Sequence, residues 1–150
     1  MKTLLTSALP PARLVLALGA TLAATAAFAA TPVVEVYKNP ACGCCGKWVE
    51  HLKQNGFEVK LDETSDVSAE RQRLGMPEQL ASCHTAKVGN YVVEGHVPVK
   101  EIQRMQLEHP KALGLAVPSM PPGTPGMVGN GHYDVLLVQA GGATRTYAHY

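Results

Sequence analysis

Three cysteines stand between a predicted strand and a predicted helix, and this stretch constrains the fold more than any other part of the chain. The run Val33–Lys38 is short and mostly apolar, as strands are, and Pro40 ends it because proline cannot continue a strand ladder. After Gly46, apolar residues recur at helical spacing until Gly56, which is placed to terminate a helix. The cysteines are Cys42, Cys44 and Cys45. Because N–H groups and the helix dipole favour thiolates at this end of a helix, the stretch predicts soft-metal or redox chemistry.

The first 29 residues have the pattern of a secretory signal peptide. Lys2 and Arg13 precede an uncharged stretch from Leu14 to Ala26, and Ala27-Phe28-Ala29 supplies small residues at the positions that signal peptidase requires. A membrane anchor is the alternative, but a spanning helix needs about 20 apolar residues with anchoring flanks. We therefore expect cleavage after Ala29, a mature domain of residues 30–150 and a periplasmic location.

The charge of the mature chain excludes several classes of partner. Without Lys2 and Arg13 the chain has 11 basic and 12 acidic residues, and no run of lysines or arginines occurs. Nucleic acids and anionic membrane surfaces are therefore poor candidates, and no membrane contact is expected after signal cleavage. A domain of about 120 residues can bury a core without disulfides.

An oxidising compartment raises the alternative of two structural disulfides. A bridge between Cys44 and Cys45 would be strained, and one between Cys42 and Cys44 would close a very tight ring. Cys42 and Cys45 can form a C-x-x-C bridge, which leaves Cys44 to pair with the distant Cys83. That arrangement stays open, although three thiols within four positions favour a set of metal ligands.

Further along the chain, strands and helices alternate. The predicted elements are a strand at 57–61, a short helix from Asp66 or Ser68 to about 74, a hairpin of strands at 85–88 and 91–93, a helix at 99–108 and a final hairpin of strands at 134–138 and 144–147. The resulting order is an α/β core, β-α-β-α-β-β-α, with a C-terminal hairpin added at the sheet edge. Between them, residues 117–127 are rich in proline and glycine and predict a defined flap rather than a core element.

This order, with a C-x-x-C at the start of the first helix, resembles the thioredoxin superfamily. The segment from Tyr37 to Cys45 is especially similar to the glutaredoxin and arsenate-reductase branches. In such folds the loop before the third strand lies against the C-x-x-C and usually holds a cis-proline. Here Cys83 and His84 occupy that position, so the resemblance implies a fourth sulfur beside the other three.

The mature chain also resembles the periplasmic CopG-like family associated with copper resistance. The matching segments are Tyr37–Trp48, Cys83–Ala86, Glu94–Pro98 and Val117–Met127. The resemblance implies a thioredoxin-like fold, copper binding through the cysteines, and a role in handling or redox conversion of periplasmic copper. Copper ions, and other periplasmic proteins that handle copper, are the partners it implies.

The residue types favour Cu(I) independently. Thiolates and thioethers are soft ligands that prefer Cu(I) to hard cations. The adjacent Cys44 and Cys45 cannot easily fill two corners of one tetrahedron together with Cys42, but they can bridge different metal ions. Four thiolates around one Cu(I) would leave a costly negative charge, which several Cu(I) ions would neutralise. The sequence therefore predicts a multinuclear Cu(I) site.

The candidate ligands include histidine nitrogens and methionine sulfurs as well as the cysteines. They are Cys42, Cys44, Cys45, Cys83, His84, His96, Met120 and Met127. His84 is a candidate nitrogen ligand or proton carrier, with a strand residue bonded to the backbone as the alternative. His96 is expected near the cysteines or at a turn cap. Met120 and Met127 lie on the predicted flap and are expected to bind copper, to gate its entry, or to pack against the cysteines.

Three function classes follow from the sequence. The first is a copper-binding redox protein, and the second is a thiol–disulfide oxidoreductase in which Cys42 attacks and Cys45 resolves. The third is a structural domain with two disulfides. Copper binding is favoured because Cys44 and Cys83 exceed what disulfide exchange needs; the motif leaves open whether the copper chemistry is enzymatic.

Overall fold

The computed structural model describes residues 33–150. The predicted signal peptide, residues 1–29, lies outside them. The strands are β1 (Val33–Lys38), β2 (Glu58–Glu63), β3 (His84–Val88), β4 (Tyr91–Glu94), β5 (Gly114–Ala116), β6 (Asp134–Val138) and β7 (Thr144–His149). The helices are α1 (Gly43–Gln54), α2 (Val67–Arg73), α3 (Val99–Glu108) and a 3-10 turn at Glu78–Leu80. Within residues 33–150, no helix is both long and apolar enough to span a membrane.

The seven strands form one sheet in the order β2-β1-β3-β4-β5-β6-β7. β1 pairs with β2 in parallel and with β3 in antiparallel fashion, and β3 and β4 form the predicted hairpin. This is the thioredoxin-like α/β core expected from the sequence. The predicted helix boundaries at α2 and α3 are confirmed, with Asp66 capping α2 through a bond from the Ala69 N–H at 2.9 Å.

One strand was absent from the predicted order. β5 pairs in parallel with β4 and in antiparallel fashion with β6, so it joins the core to the C-terminal hairpin. The C-terminal hairpin lies at the edge of the sheet, as predicted, but it pairs with β5, which the sequence reasoning missed. Position 114 needs glycine because a methyl group there would clash with the carbonyl oxygen of Val92. With three residues and no alternation, β5 has little local signal.

The sheet buries side chains on both faces. α1 and α3 cover one face, where Trp48, Leu52, Ile102 and Met105 are fully buried against the strands. A smaller apolar cluster includes Met76 and lies on the opposite face, because its strand residues alternate with those of the main core. Met76 and Met105 are thus core residues, as predicted.

The candidate ligands lie together because of the strand directions. β1, β4 and β5 end at one edge of the sheet, and β3, which runs antiparallel to β1 and β4, begins there. The cysteine motif follows β1, Cys83 precedes β3, His96 follows β4, and the flap (residues 117–127) follows β5. This edge of the sheet, where β1, β4 and β5 end, therefore carries all four of these segments.

Candidate metal centre

Four cysteine sulfurs form one cluster at this edge. The Sγ atoms of Cys42, Cys44, Cys45 and Cys83 all lie within 4.8 Å of one another. The turn after β1 places Cys42 at the N-cap of α1, where its sulfur accepts a hydrogen bond from the Cys45 N–H at 3.4 Å. The amide groups at the start of α1 thus face sulfur, as the sequence predicted. The cluster contains the distant Cys83 as well as the motif.

Two of the four sulfurs are joined. Cys42 and Cys45 form a disulfide, whereas Cys44 and Cys83 carry free thiols. The Cys42 and Cys44 sulfurs are 3.5 Å apart, and the Cys45 sulfur lies 3.6 Å from the carbonyl oxygen of Cys83. Of the two bridges that the sequence left open, the C-x-x-C bridge is formed and the Cys44–Cys83 bridge is not. The structure therefore shows the centre in an oxidised state.

His96 presents a nitrogen lone pair to Cys83. Its Nδ1 lies 2.7 Å from the carbonyl oxygen of Pro125, which can only accept, so Nδ1 carries the proton. Its Nε2 is therefore free to accept, and it lies 3.0 Å from the Cys83 sulfur. Burial lowers the pKa of His96 and keeps the ring neutral. A carbonyl that fixes the tautomer in this way is typical of histidines that bind metals.

His84 is the most deeply buried polar group of the centre. Its Nδ1 lies 3.4 Å from the Cys83 sulfur, and its ring packs against Trp48 with centroids 4.3 Å apart. Its Nε2 is buried and has no hydrogen-bond partner among the described residues. Burial, together with the neighbouring His96, lowers the pKa of His84 to about 3. Nδ1 is thus the His84 nitrogen that faces the cluster, and the role of His84 as a metal ligand stays a prediction.

Cys83 connects the sulfur cluster to the two histidines. Cys83, His84 and His96 form a second group whose donor atoms lie within 4.8 Å of one another. Burial, followed by the adjacent Cys44, raises the pKa of the Cys83 thiol to about 12. Without metal the thiol therefore keeps its proton near neutral pH. A soft cation bound here would displace that proton, because the ligand form of cysteine is the thiolate.

The flap lies across the start of α1. A methyl group at Gly126 would be only 2.8 Å from the carbonyl oxygen of Cys44, and Gly126 has a φ of 90°. On the other side of the centre, the Ser119 N–H donates to the carbonyl oxygen of Ala81 at 3.0 Å. The flap is thus fixed on both sides of the cysteines, in agreement with the predicted defined flap.

The two flap methionines differ in exposure. Met120 is 49 % exposed, whereas Met127 is half-buried and directly follows Gly126. Both lie on the segment that covers the centre, and neither belongs to the apolar core clusters. Their roles as ligands or as an entry gate stay predictions.

The sequence reasoning missed a buried ion pair behind Cys83. Arg71 of α2 and Glu94 of β4 are both buried, and their side chains meet at 3.0 Å. They are 23 positions apart and belong to different elements. The only local signal is that Glu94 belongs to the segment that also holds His96.

The donor set determines what the centre can do. Four sulfurs and two neutral imidazoles offer soft and intermediate ligands without a carboxylate, and such a set suits Cu(I) and excludes hard cations such as Mg²⁺. The Nδ1 of His84 and the Nε2 of His96, which both face the Cys83 sulfur, fit the same use. In the oxidised state, the disulfide occupies two of the four sulfurs.

Comparison with known proteins agrees with this geometry. A sequence family described as "Protein of unknown function, DUF411" matches residues 80–127. A solved structure described as copper resistance protein CopG, form 2, is 37% identical, covers 80% of this chain and 98% of its own, and superimposes with a TM-score of 0.76. A second, described as form 1, is 38% identical, with coverage of 79% and 96% and a TM-score of 0.74. No match was found among curated proteins.

These similarities extend over nearly the full length of the solved structures, at an identity well above that at which only the fold is shared. The family match over residues 80–127 includes Cys83, His84, His96 and the flap. The chain therefore belongs to the CopG-like copper resistance family.

Proposed function

We propose that this chain is a periplasmic copper-binding protein that holds several Cu(I) ions in a cluster bridged by cysteine thiolates. The observation that carries the proposal is the meeting of four cysteine sulfurs within 4.8 Å of one another. The printed names of the two similar structures, copper resistance protein CopG, support copper as the metal.

Charge favours more than one ion. Four thiolates around a single Cu(I) would carry a net charge of about minus three, and burying that charge is costly. The centre is only partly open, since Cys45 is buried and Cys42, Cys44 and Cys83 are half-buried. Each additional Cu(I) removes one unit of negative charge. Thiolates that bridge two ions can achieve this without further ligands.

The oxidised centre must be reduced before all four sulfurs can bind. Opening the Cys42–Cys45 bridge takes two electrons and two protons and yields two thiols. A dithiol reductant would supply both and would itself become a disulfide. The four thiols would then lose their protons as Cu(I) binds.

The decisive experiment is an anaerobic Cu(I) titration of the reduced mature protein. We expect more than one Cu(I) per chain, and we expect Cys44→Ser and Cys83→Ser each to lower that number, since serine keeps the size but removes the soft sulfur. Retention of the wild-type stoichiometry by both variants would contradict a cluster built on these two residues.

The Cys42–Cys45 disulfide supports a second candidate function, thiol–disulfide exchange. The bridge lies at the N-terminus of α1, and Cys42 is the more exposed of its two cysteines. In that case Cys44→Ser would have little effect. Rapid reduction of model disulfides that depends on Cys42 and Cys45 alone, combined with unchanged copper stoichiometry in Cys44→Ser, would favour exchange over copper binding.

The periplasmic location rests on the sequence of residues 1–29. The uncharged stretch and the Ala27-Phe28-Ala29 site support export and cleavage. Periplasmic proteins that deliver or accept copper are then the natural partners. The half-exposed sulfurs of Cys42 and Cys44 would be their point of contact.

A further inference from the structure

A buried ion pair lies behind the metal centre and takes no part in the chemistry described above. Arg71 is 4 % exposed and Glu94 is fully buried, with the Arg71 Nε 3.0 Å from Glu94 Oε1. The Arg71 Nη1 also donates to Glu78 Oε1 at 3.1 Å. A buried ion pair adds little stability by itself because both charges lose their hydration. The pair therefore needs an explanation other than stability.

Both charges hold the same peptide segment. Glu94 Oε1 accepts a hydrogen bond from the Ser82 N–H at 2.7 Å, and an Arg71 N–H donates to the Ser82 carbonyl oxygen at 2.8 Å. Ser82 precedes β3, so the sheet ladder offers its backbone no partner. The two side chains supply the partners that a strand would otherwise provide. The next residue in the chain is Cys83.

We infer that Arg71 and Glu94 are positioning residues of the metal centre, which fix the Ser82 backbone and thereby hold Cys83 beside the other sulfurs and His96. The pair joins α2 to β4, so it clamps the segment from two separate elements. That the position of Cys83 matters for metal binding rests on the proposed function. That Arg71 and Glu94 fix the position of Cys83 does not rest on it, and this can be measured without metal.

The same clamp reaches the flap. The Ser82 hydroxyl donates to the carbonyl oxygen of Ser119, and the Ser119 N–H donates to Ala81. Gly95 lies between the Ser82 segment and the residue that precedes the flap contacts. A methyl group on Gly95 would lie 2.6 Å from the Ser82 Oγ and 2.5 Å from the Val117 carbonyl oxygen. Loss of the clamp is therefore expected to loosen Cys83 and the flap together.

The test measures how fast Cys83 is alkylated by iodoacetamide in the oxidised, metal-free protein. A Cys44→Ser background leaves Cys83 as the single free thiol, because Cys42 and Cys45 are bonded. Glu94→Gln keeps an acceptor for the Ser82 N–H, whereas Glu94→Ala removes it and leaves Arg71 paired with Glu78. Urea unfolding of each variant shows whether it is folded under the conditions of the assay.

We expect Glu94→Ala to raise the alkylation rate about tenfold, since leaving the Ser82 N–H without an acceptor typically shifts a local equilibrium by about that factor. We expect Glu94→Gln, which keeps an acceptor, to stay near the parent rate. The rescue by glutamine distinguishes positioning from a need for charge. Equal rates in the parent and Glu94→Ala, with both folded, would overturn the inference. Equal acceleration by Glu94→Gln and Glu94→Ala would overturn it as well.

A second pair of variants tests the arginine on the same helix. Arg71→Met removes the donor to Ser82, and the matched Arg73→Met removes a largely exposed arginine that pairs with Glu70. We expect faster alkylation only in Arg71→Met, and equal rates in the two variants would contradict the inference. If Arg71→Met does not fold, the alkylation rates of Glu94→Ala and Glu94→Gln alone test the inference. Fast alkylation with unchanged Cu(I) stoichiometry would uphold the clamp and count against Cys83 as a copper ligand, so the two proposals can fail separately.

Discussion

At the scale of single residues, the two histidines of the centre are held neutral by different contacts. The Pro125 carbonyl fixes the proton of His96 on Nδ1, whereas His84 is kept neutral by complete burial against Trp48. Each neutral ring therefore has one nitrogen lone pair, and in His96 it faces Cys83. An imidazole can bind a metal only in this form.

His84 should make the stability of the copper-free protein depend on pH. Its pKa is about 3 in the folded chain and about 6.5 when unfolded, so only the unfolded chain takes up a proton as the pH falls below 6.5. The stability contributed by neutral His84 is therefore complete above pH 6.5 and is lost as the pH falls towards 3. Between pH 6.5 and about pH 5 the expected loss is about 2 kcal/mol.

Urea unfolding at several pH values measures this loss, with His84→Gln as the comparison. The difference between the two proteins cancels the contributions of titrating groups that both share and that lie away from His84. We expect the variant to lose less stability than the wild type as the pH falls. Parallel pH profiles would show that His84 is not held neutral in the folded protein.

Much of the centre could be predicted at this scale, because the spacing of Cys42, Cys44 and Cys45 is a local pattern. Spacing also identified Cys42–Cys45 as the feasible bridge within the motif, but it could not predict that Cys44 and Cys83 stay unbridged. The Arg71–Glu94 clamp has no local pattern either. Only the packing of α2 against the strands shows that Glu94 is buried.

At the scale of elements, the flap is the part of the chain that distinguishes this centre from a bare C-x-x-C helix. It contacts α1 at Gly126 and binds His96 through Pro125. Both contacts use the flap backbone. A small shift of the flap backbone should therefore change the geometry of the metal centre without replacing any ligand residue.

We predict that Gly126→Ala weakens Cu(I) binding about tenfold, because the added methyl group would press on the Cys44 carbonyl and move the flap away from α1. Gly141→Ala is the matched control. Gly141 has a similar φ of 92°, but nothing lies within 4 Å of its added methyl group. Both variants share the backbone strain of about 1–2 kcal/mol, and only Gly126→Ala has the contact.

Competition with a Cu(I) chelator measures the affinity of each variant. Equal affinities in Gly126→Ala and Gly141→Ala would show that the flap position does not affect the metal. A larger loss in Gly141→Ala would also contradict the prediction, since that glycine lies in the turn between β6 and β7.

The elements differed in how far the sequence could predict them. α3 and the hairpin of β3 and β4 were recognisable because their patterns are local, namely apolar residues three apart and a Gly89-Asn90 turn. β5 was not recognisable, because Gly114, Leu115 and Ala116 form a strand only through their neighbours β4 and β6. Buried on both faces, it shows no alternation.

At the scale of the whole molecule, a thioredoxin-like sheet brings distant segments to one edge. Residues 42–45, 83–84, 96 and 117–127 are far apart in the chain but adjacent in the fold. The prediction that Cys83 lies beside the motif is confirmed, and it came from the resemblance of the strand order to thioredoxin. Spacing alone could not have placed it there.

The sequence of residues 1–29 predicts export of the whole molecule. We predict that the protein recovered from the periplasm begins at or near Ala30, because Ala27-Phe28-Ala29 is the cleavage pattern. Mass spectrometry of the intact periplasmic protein measures this. Retention of residues 1–29 would contradict the proposed processing.

The central claim is that the four sulfurs hold several Cu(I) ions that share thiolate bridges. X-ray absorption at the copper edge, on the reduced protein loaded anaerobically with Cu(I), tests it most directly. We predict a first shell dominated by sulfur together with scattering from a neighbouring copper ion, because bridging thiolates hold the metals close to one another. A spectrum of isolated copper ions, with no copper neighbour at full loading, would contradict the claim.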